Sequence, residues 1–546
     1  MLCTKTTTHL TLSTLVTVAL LIHSGCKPRT GNENAEKSNT SIEQESNESK
    51  EAKTVDTTPP KKNAELLADG TTVINGDLST VDWNSLIDKQ VTVAGDLVIV
   101  DTYDLARRGQ VKVARSRLRV PTSLIDPNDS DPNDVSFQGG SNVAQVTSAQ
   151  KQNDDGIIIL DDGSAKQNIF PPTLFPKLGK SQQTVRAGSV VKGVSGKLVK
   201  AGNKLLLVSE KPLTWSPAER PQRPSVGEPD VTIASFNVLN YFTTIHKSGN
   251  NARGADSDSE LKRQEAKLVA AILALQADVI GLMEIENNLD AENRLVAALN
   301  KKLGKDVFKG CGLPDEFRSA PGGADAIRVG IIYRADRVEP TGAVSMIRDD
   351  SFLVARTPVV QEFKSTAGGA PFTVIVNHFK SKGGADRADV ANKNKGDGQG
   401  AYNAARRAQS LAICTFIDHL KQDETDPRVL VIGDLNAYDQ EDPIDAMRAK
   451  GLVDLQEKVA HERNGHEANN GFGHYSYLYF GQCGSLDHAM ATESMAESVT
   501  GIATWHINAD EPRFLDYNQE YNPKSLYKPD PFRSSDHDPV LIGIRN

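Results

Sequence analysis

Four aliphatic runs in the C-terminal part of this chain each stop at a side chain suited to holding a proton, a cation or a phosphate. "VTIASF" stops at Asn237, "VIGLM" at Glu284, "FTVIV" at Asn377 and His378, and "VLVI" leads through Gly433 to Asp434 and Asn436. Short β-branched runs of this kind read as buried strands. Alternate side chains of an extended chain share a face, so Asp434 and Asn436 point the same way. Before the Glu284 run, "LKRQEAKLVAAILAL" sets Leu261, Leu268, Val269, Ile272 and Leu275 along one helical face. "AARRAQSLAICTFIDHL" precedes the Asp434 run in the same helix-then-strand order, whereas "IRVGIIYR" and the C-terminal "DPVLIGI" have no helix before them. Alternation with interruptions predicts an α/β fold with a mixed sheet rather than a purely parallel one.

In open α/β sheets, ligands collect outside the carboxyl ends of strands, which makes these polar residues candidates for one cleft. "GSLDHAMA" and "RSSDHDPVLIGI" bring Asp487, His488, Asp536 and His537 to the amino ends of apolar stretches. An antiparallel strand begins where its neighbours end, so these groups reach the same side. The inventory suits phosphodiester hydrolysis. Glu284, Asp536 and Asn237 offer the oxygen ligands that a hard cation such as Mg²⁺ prefers, with Mn²⁺ or Ca²⁺ as alternatives. A His oriented by a carboxylate can deprotonate water while a second protonates the leaving group. The motifs of zinc proteases, serine hydrolases and P-loop enzymes are absent from the sequence. Singly, a strand-end Asp or Asn is more often a turn former, and Asp536 with Asp538 has that plainer reading. His474, His488 and His506 lack an orienting motif and read as structural. Asn377, Lys380, Lys382 and Arg406 lie near His378 or the "GDGQG" loop and are candidate phosphate contacts, a solvated face being the alternative.

Length favours two folded domains with tails, since 546 residues exceed one ordinary core. The apolar run Leu10 to Ile22 is shorter than the roughly 20 residues of a membrane span and reads as an export signal within residues 1–25. Ser24-Gly25-Cys26 resembles a bacterial lipoprotein signal in which Cys26 is lipidated, although His23 stands where such signals usually carry Leu; ordinary cleavage nearby is the alternative. Residues 26–63 have almost no apolar side chain and are expected to be a disordered tether. The expected location is therefore an outer-membrane or surface lipoprotein or the periplasm, or else outside the cell. Membrane contact is expected only through that anchor, and no obligate protein partner is evident.

From residue 64 to 220, "QVTVAGDLVIVDTY", "QVKVA", "GIIILDDG", "GSVVKGVSGKLV" and "NKLLLVSE" predict a small all-β domain, followed by a Pro-rich linker, "SPAERPQRPSVGEPD". The acidic "PTSLIDPNDSDPND" lacks the Gly and closing Glu of a helix-loop-helix calcium site and reads as a solvated loop. A Cys311–Cys483 disulfide is open, while Cys414 at helical spacing reads as an apolar filler. The net charge of -9 argues against capture of nucleic acid by a broad basic face.

"SFNVLNYF", "LMEIEN", "VNHFKSK", "GDLNAYDQEDP", "SLDHA" and "SSDHDPV" occur in the order seen in the endonuclease/exonuclease/phosphatase superfamily, and most resemble its secreted bacterial nucleases. "LVIVDTYDLARRGQVKV" and "IILDDG" resemble the OB-fold-like domain that precedes such nucleases. The resemblance implies a two-sheet αββα sandwich over residues 228–546 behind a small OB-like domain. It makes Glu284 the principal metal ligand with Asn237 and Asp536 close by, His537 paired with Asp487 the general base, and His378 the acid or a phosphate contact. Asp434 and Asn436 would orient water and phosphate, and Asp325 would lie near the site. Leu239 replaces an acid that some relatives carry, which leaves the number of metals open.

The implied function is a secreted or surface-anchored metal-dependent nuclease acting on DNA, with RNA a further candidate. A phosphomonoesterase or phospholipid or inositol-phosphate hydrolase of the same fold is the enzymatic alternative. A non-catalytic nucleic-acid-binding module is the alternative of another class. Residues 64–220 are poor in the aromatic platforms of single-strand binders, so weak binding by that segment alone is expected.

Overall fold

The computed structural model describes residues 63–128, 141–179, 184–209, 211–247, 250–423, 426–462 and 472–546. The export signal, Cys26, the tether and the end of the acidic Pro-Asn-Asp stretch lie outside them.

The four aliphatic runs become strands of two six-stranded sheets. The first sheet runs in the order Phe308–Gly310, Ile327–Arg334, Val279–Glu286, Val231–Tyr241, Val540–Ile544, Val499–Thr504. The second runs Val338–Met346, Val359–Ser365, Phe372–His378, Val429–Asp434, Asp487–Ala491, Val453–Asp454. Each sheet has one parallel pair at its centre, Val231–Tyr241 with Val279–Glu286 and Phe372–His378 with Val429–Asp434, and is otherwise antiparallel. The sheets are therefore mixed, as the interrupted alternation predicts.

Both faces of the central strands are apolar because both are covered. Ile233, Val279, Met283 and Ile542 of the first sheet meet Val374, Val376, Leu430 and Ile432 of the second in one buried cluster. On the outer face of the first sheet, Leu261, Leu268, Ile272 and Leu275 of helix Asp258–Leu275 pack against Ala234, Phe236, Ile280 and Leu282. On the outer face of the second, Ile413, Cys414 and Ile417 of helix Asn403–Asp423 pack against Ile375, Val429 and Val431. The result is an αββα sandwich. Cys311, Cys414 and Cys483 are all free thiols, so the Cys311–Cys483 disulfide does not form.

The upstream region is β-rich: all but one of its strands from Ala64–Leu66 to Thr214–Ser216 join one ten-stranded sheet, while Leu118–Arg119 joins a three-stranded sheet with Tyr477–Tyr479 and Gln482–Gly484. It also holds a helix, Val143–Asp155, that periodicity misses because Val146 is its only buried residue. The Pro-rich linker is not loose. Arg220 binds Glu511 at 3.0 and 2.7 Å, Arg223 donates to the Leu275 carbonyl at 2.7 Å, and Trp505 donates to that of Pro221 at 3.1 Å. The acidic stretch is tied down where it is described, Thr122 donating to Glu441 at 2.8 Å and Asn128 to Asp442 at 3.1 Å.

The β-rich region and the sandwich share buried charge. Asp510 accepts from both Arg117 terminal nitrogens at 2.5 and 3.0 Å, from Tyr475 at 2.9 Å and from Arg186 at 3.4 Å. Burial alone would raise its pKa, but Arg117 and Arg186 outweigh it and hold the carboxyl well below the usual range. Its stabilising contribution is thus present above the unfolded value of about 3.9 and is lost as pH falls below it. Asp510→Ala, which strands the Arg117 guanidinium while Arg186 keeps its pair with Glu511 at 3.0 Å, is expected to cost about 3–5 kcal/mol in denaturant unfolding near pH 7. The gap between wild type and variant should narrow as pH falls below about 4.

Candidate functional site

Register assembles the first half of the site. His378 and Asp434 are cross-strand partners, and so are Asp434 and Asp487, which sets the three in one row across the second sheet. Gly433, just before Asp434, has φ +141°, and a Cβ there would lie 2.0 Å from the Asn377 carbonyl oxygen, so only glycine fits. Asn436 follows in the left-handed region at φ +50°.

The first sheet supplies the other half through two irregular strands. The register between Val231–Tyr241 and Val279–Glu286 shifts after Asn237, with Leu239 at φ +53° and Asn240 at φ +48°. Glu284 has φ +65°, where the opposing strand also shifts. Non-glycine residues in this region are strained, and bulges of this kind re-aim side chains at functional sites. The Asn240 amide donates to Glu284 Oε2 at 3.0 Å, while the Leu239 amide donates to Asn237 Oδ1 at 3.1 Å.

His537 joins the halves. Its Nδ1 lies 2.7 Å from Asp487 Oδ2, which also accepts from the Ser476 hydroxyl at 2.6 Å, and its Nε2 faces Asp434 Oδ2 at 3.8 Å. Tyr477 lies against its ring at 4.6 Å between centroids. Asn508 fixes the loop from both sides, donating to the His537 carbonyl at 2.7 Å and accepting from the Ser534 amide at 2.8 Å. Ser535 ties that loop to the first sheet by donating to the Asn237 carbonyl at 2.6 Å.

The electrostatics follow from many acids in little water. Burial opposes a charge on His537, but Asp487 and Asp434 outweigh it and carry its pKa well above the ordinary value. Burial likewise raises Asp434 to about 7, His537 pulling it down while Asp487 and Glu284 push it up. Glu284 is raised by burial and by the neighbouring Asp536. His378 behaves oppositely: burial and the nearby Arg356 depress its pKa well below the ordinary value, so its imidazole is neutral. Its Nε2 lies 3.4 Å from Asp434 Oδ2, and its buried Nδ1 has no hydrogen-bond partner.

Several predicted residues take other places. Asn237 turns its amide nitrogen, not its oxygen, to the acids, donating to Glu284 at 3.3 Å and Asp434 at 3.2 Å. In that orientation it bridges the two acids. Asn436 donates to the Phe379 carbonyl at 3.2 Å. Asn377 is spent on the carbonyls of Ile375 and Ile432. Arg406 is fully buried, donating to the carbonyls of Ala401 and Gln399 at 2.8 and 2.9 Å, and Lys382 is paired with buried Glu441. These three belong to the framework, because each would have to break several buried bonds to reach a ligand. Lys380 sits over the Tyr402 ring at 4.0 Å, and burial lowers its pKa to about 8. His474, His488 and His506 hold Asp439, the Ala437 carbonyl and Asp538 respectively.

Arg356, Asn508 and Tyr477 escape a sequence reading because none stands in a strand-end motif. Arg356 is buried, donates to the Phe379 carbonyl at 2.8 Å and feels Asp325, Asp434 and Glu284. Among the described residues, no three His, Cys, Asp or Glu side chains form a ready-made cation cage. The donors that remain, Glu284 and Asp536, fit Mg²⁺, which is commonly held by one or two carboxylates plus substrate phosphate. Their mutual repulsion, felt in the raised Glu284, is what a cation would relieve.

The profile of the Endonuclease/Exonuclease/phosphatase family matches residues 234–537. Similar solved structures include the human Nocturnin catalytic domain with bound sulfate, at 15% identity over 58% of this chain and 95% of that one, with a TM-score of 0.36. A mannosyl-6-phosphatase of Bacteroides thetaiotaomicron matches at 15% identity over 57% and 99%, with a TM-score of 0.36. TDP2 of D. rerio complexed with single strand DNA product matches at 15% over 57% and 97%, with a TM-score of 0.35. No curated relative matches the chain.

Asn508→Ala is expected to cost about 1–3 kcal/mol, the range for stranding a buried hydrogen-bonding group. Hydrogen exchange read by mass spectrometry should localise the loosening to residues 534–538.

Proposed function

The chain belongs to the endonuclease/exonuclease/phosphatase family, whose members hydrolyse phosphoester bonds, and on that premise we propose that it is a metal-dependent phosphodiesterase that cleaves DNA, with RNA a further substrate. The observation that carries this reading is the His537–Asp487 pair at 2.7 Å, set beside Asp434 and His378 and within electrostatic reach of Glu284.

Glu284 and Asp536 would hold a divalent cation, Mg²⁺ in the first instance, and Asn237 would position the Glu284 and Asp434 carboxylates. When bound, such a cation would supply charge stabilisation to phosphoryl oxygens and, by repulsion, lower the His537 pKa toward that of a base. Asp487 fixes the His537 tautomer, so that Nε2 is the atom that takes the proton from water. His378, held neutral, donates a hydrogen bond to phosphate, and Arg356 adds a buried positive charge beside it. Asp434, poised at about 7, stands between both imidazoles and is placed to orient the attacking water or to share its proton. The family's metal use is general; the choice of Mg²⁺ and of a diester is ours. We further propose export and anchoring through Cys26, on the residues that precede the described ones.

The test is a panel of duplex DNA, RNA, a small phosphodiester and a phosphomonoester, each with Mg²⁺ and with chelator. Chelator-sensitive cleavage of DNA is expected, and hydrolysis of the monoester with DNA left intact would overturn the proposal. His537→Ala should lower turnover by about 10²–10⁴-fold without loss of fold. Glu284→Gln should instead raise the Mg²⁺ concentration needed for half-maximal rate. Full turnover by either variant at low Mg²⁺ would remove the corresponding role.

A further inference from the structure

A cleft of about 610 Å³ lies along the seam between the sandwich and the β-rich region, and Tyr477 in its wall packs on its other side against the His537 ring. We propose that this cleft binds a single-stranded stretch of the DNA substrate, its bases stacking on Tyr479, Phe480 and Tyr103 and its phosphates meeting Arg107, Arg513 and Arg533. The inference rests on the nuclease reading above and adds where the strand lies.

The platform is a built feature. Tyr477–Tyr479 and Gln482–Gly484 form a hairpin whose two-residue turn, Phe480 and Gly481, has φ +49° and +89°. Turns of this kind favour Asn-Gly, and a bulky aromatic in a left-handed conformation is strained. Burial does not offset that strain, because Phe480 is 62% exposed, with Tyr479 at 55% and Tyr103, across the seam, at 63%. The hairpin is nonetheless held firmly. Its return strand pairs with Leu118–Arg119 of the β-rich region, and a Cβ on Gly481 would come within 3.0 Å of Val100. One end of the hairpin thus touches the catalytic imidazole, and the other presents two rings to solvent.

Charge is arranged for an anion. The acids of the cleft are each matched by a cation: Asp101 by Lys112 at 2.7 Å, Asp104 by Arg108 at 3.5 Å, Asp510 by Arg117 at 2.5 Å and Glu511 by Arg220 at 2.7 Å. Arg107, Arg513 and Arg533 have no carboxylate ion pair among the described residues. Arg513 lies over the Tyr103 ring at 4.7 Å, Arg107 donates to Gln167, and Arg533 keeps a buried Nε without a hydrogen-bond partner. Arg533 also donates to the Asn508 carbonyl at 2.8 Å, and Arg533 and Arg513 both pull down the pKa of Asp516, which burial raises, without a direct ion pair. Exposed aromatic faces interleaved with arginines that carry no carboxylate salt bridge are the recognition chemistry of unpaired bases on a phosphate backbone. Paired bases hide their faces, so a duplex cannot use the rings. The weakness expected of the β-rich segment alone follows as well, since two of the three rings come from the sandwich.

The full chain, Tyr479→Ala/Phe480→Ala and Tyr103→Ala/Arg513→Ala are to be compared in two assays. Anisotropy of a fluorescein-labelled oligothymidylate of about 15 nucleotides, in chelator so that nothing is cleaved, should show each double variant binding about 10-fold or more weakly. With Mg²⁺, the ratio of kcat/KM for the oligonucleotide to that for bis(p-nitrophenyl) phosphate should fall by a similar factor. Wild-type affinity in the variants, or an unchanged ratio, overturns the cleft assignment, as does tighter binding of a blunt duplex of equal length. A wild type that hydrolyses only a monoester defeats the nuclease reading, and the anisotropy arm still decides the cleft.

Discussion

The 2.7 Å contact between Asp487 and His537 joins the two sheets of the sandwich at their polar edge. Asp487 belongs to the second sheet, and His537 stands just before the last strand of the first. A one-residue slip in either sheet would turn one partner to the opposite face and break the pair. The whole apolar interior between Ile233, Met283, Val376 and Ile432 therefore acts on the chemistry by holding the start of one strand and the loop before another at hydrogen-bonding distance. The chain tolerates local strain at the same edge: Glu284, Leu239, Asn240 and Asn436 all have positive φ there. Packing over-determines those conformations, which is how strained backbone persists at sites that do work.

Charge balance is the second constraint. Glu284, Asp434, Asp487 and Asp536 crowd a region whose nearby cations are chiefly His537 and Arg356, and the raised pKa values of Glu284 and Asp434 record the imbalance. Such a cluster is costly in an apolar interior unless it meets positive charge in use. On the function proposed above, cation binding and proton transfer would be two consequences of this one arrangement. The Asp510 network at the seam is the opposite case, with the carboxylate fully matched by Arg117 and Arg186, and it serves cohesion.

Much of this was legible in the residue order. Strands ending in "NVLN", "EIEN", "NHF" and "GDLN" carry their polar residues at carboxyl ends, so the cleft follows once the sheet is inferred. Asp487 and Asp536–His537 were placed by the rule that an antiparallel strand begins where its neighbours end, and the Asp434–Asp487 register obeys it. Less legible was how a polar side chain is spent. Asn377 and Arg406 look like ligands in sequence, yet their hydrogen bonds go to carbonyls. Asn237 faces the acids with the end of its amide that a one-dimensional pattern cannot distinguish. Arg356, Asn508 and Tyr477 reach the site through tertiary packing from segments with no signature of their own. The helix Val143–Asp155 carries no periodic signal because it buries almost nothing.

The central claim is that Glu284, Asp536, His378 and His537 face a single cation-bound phosphate. Crystals soaked with Mn²⁺ and a phosphorothioate oligonucleotide give the most direct measurement, since anomalous scattering locates metal and sulfur separately. A manganese peak between Glu284 and Asp536, with the sulfur-bearing phosphate within hydrogen-bonding reach of both histidines, is the result expected. Metal bound elsewhere, or a phosphate seated away from His537, would contradict it.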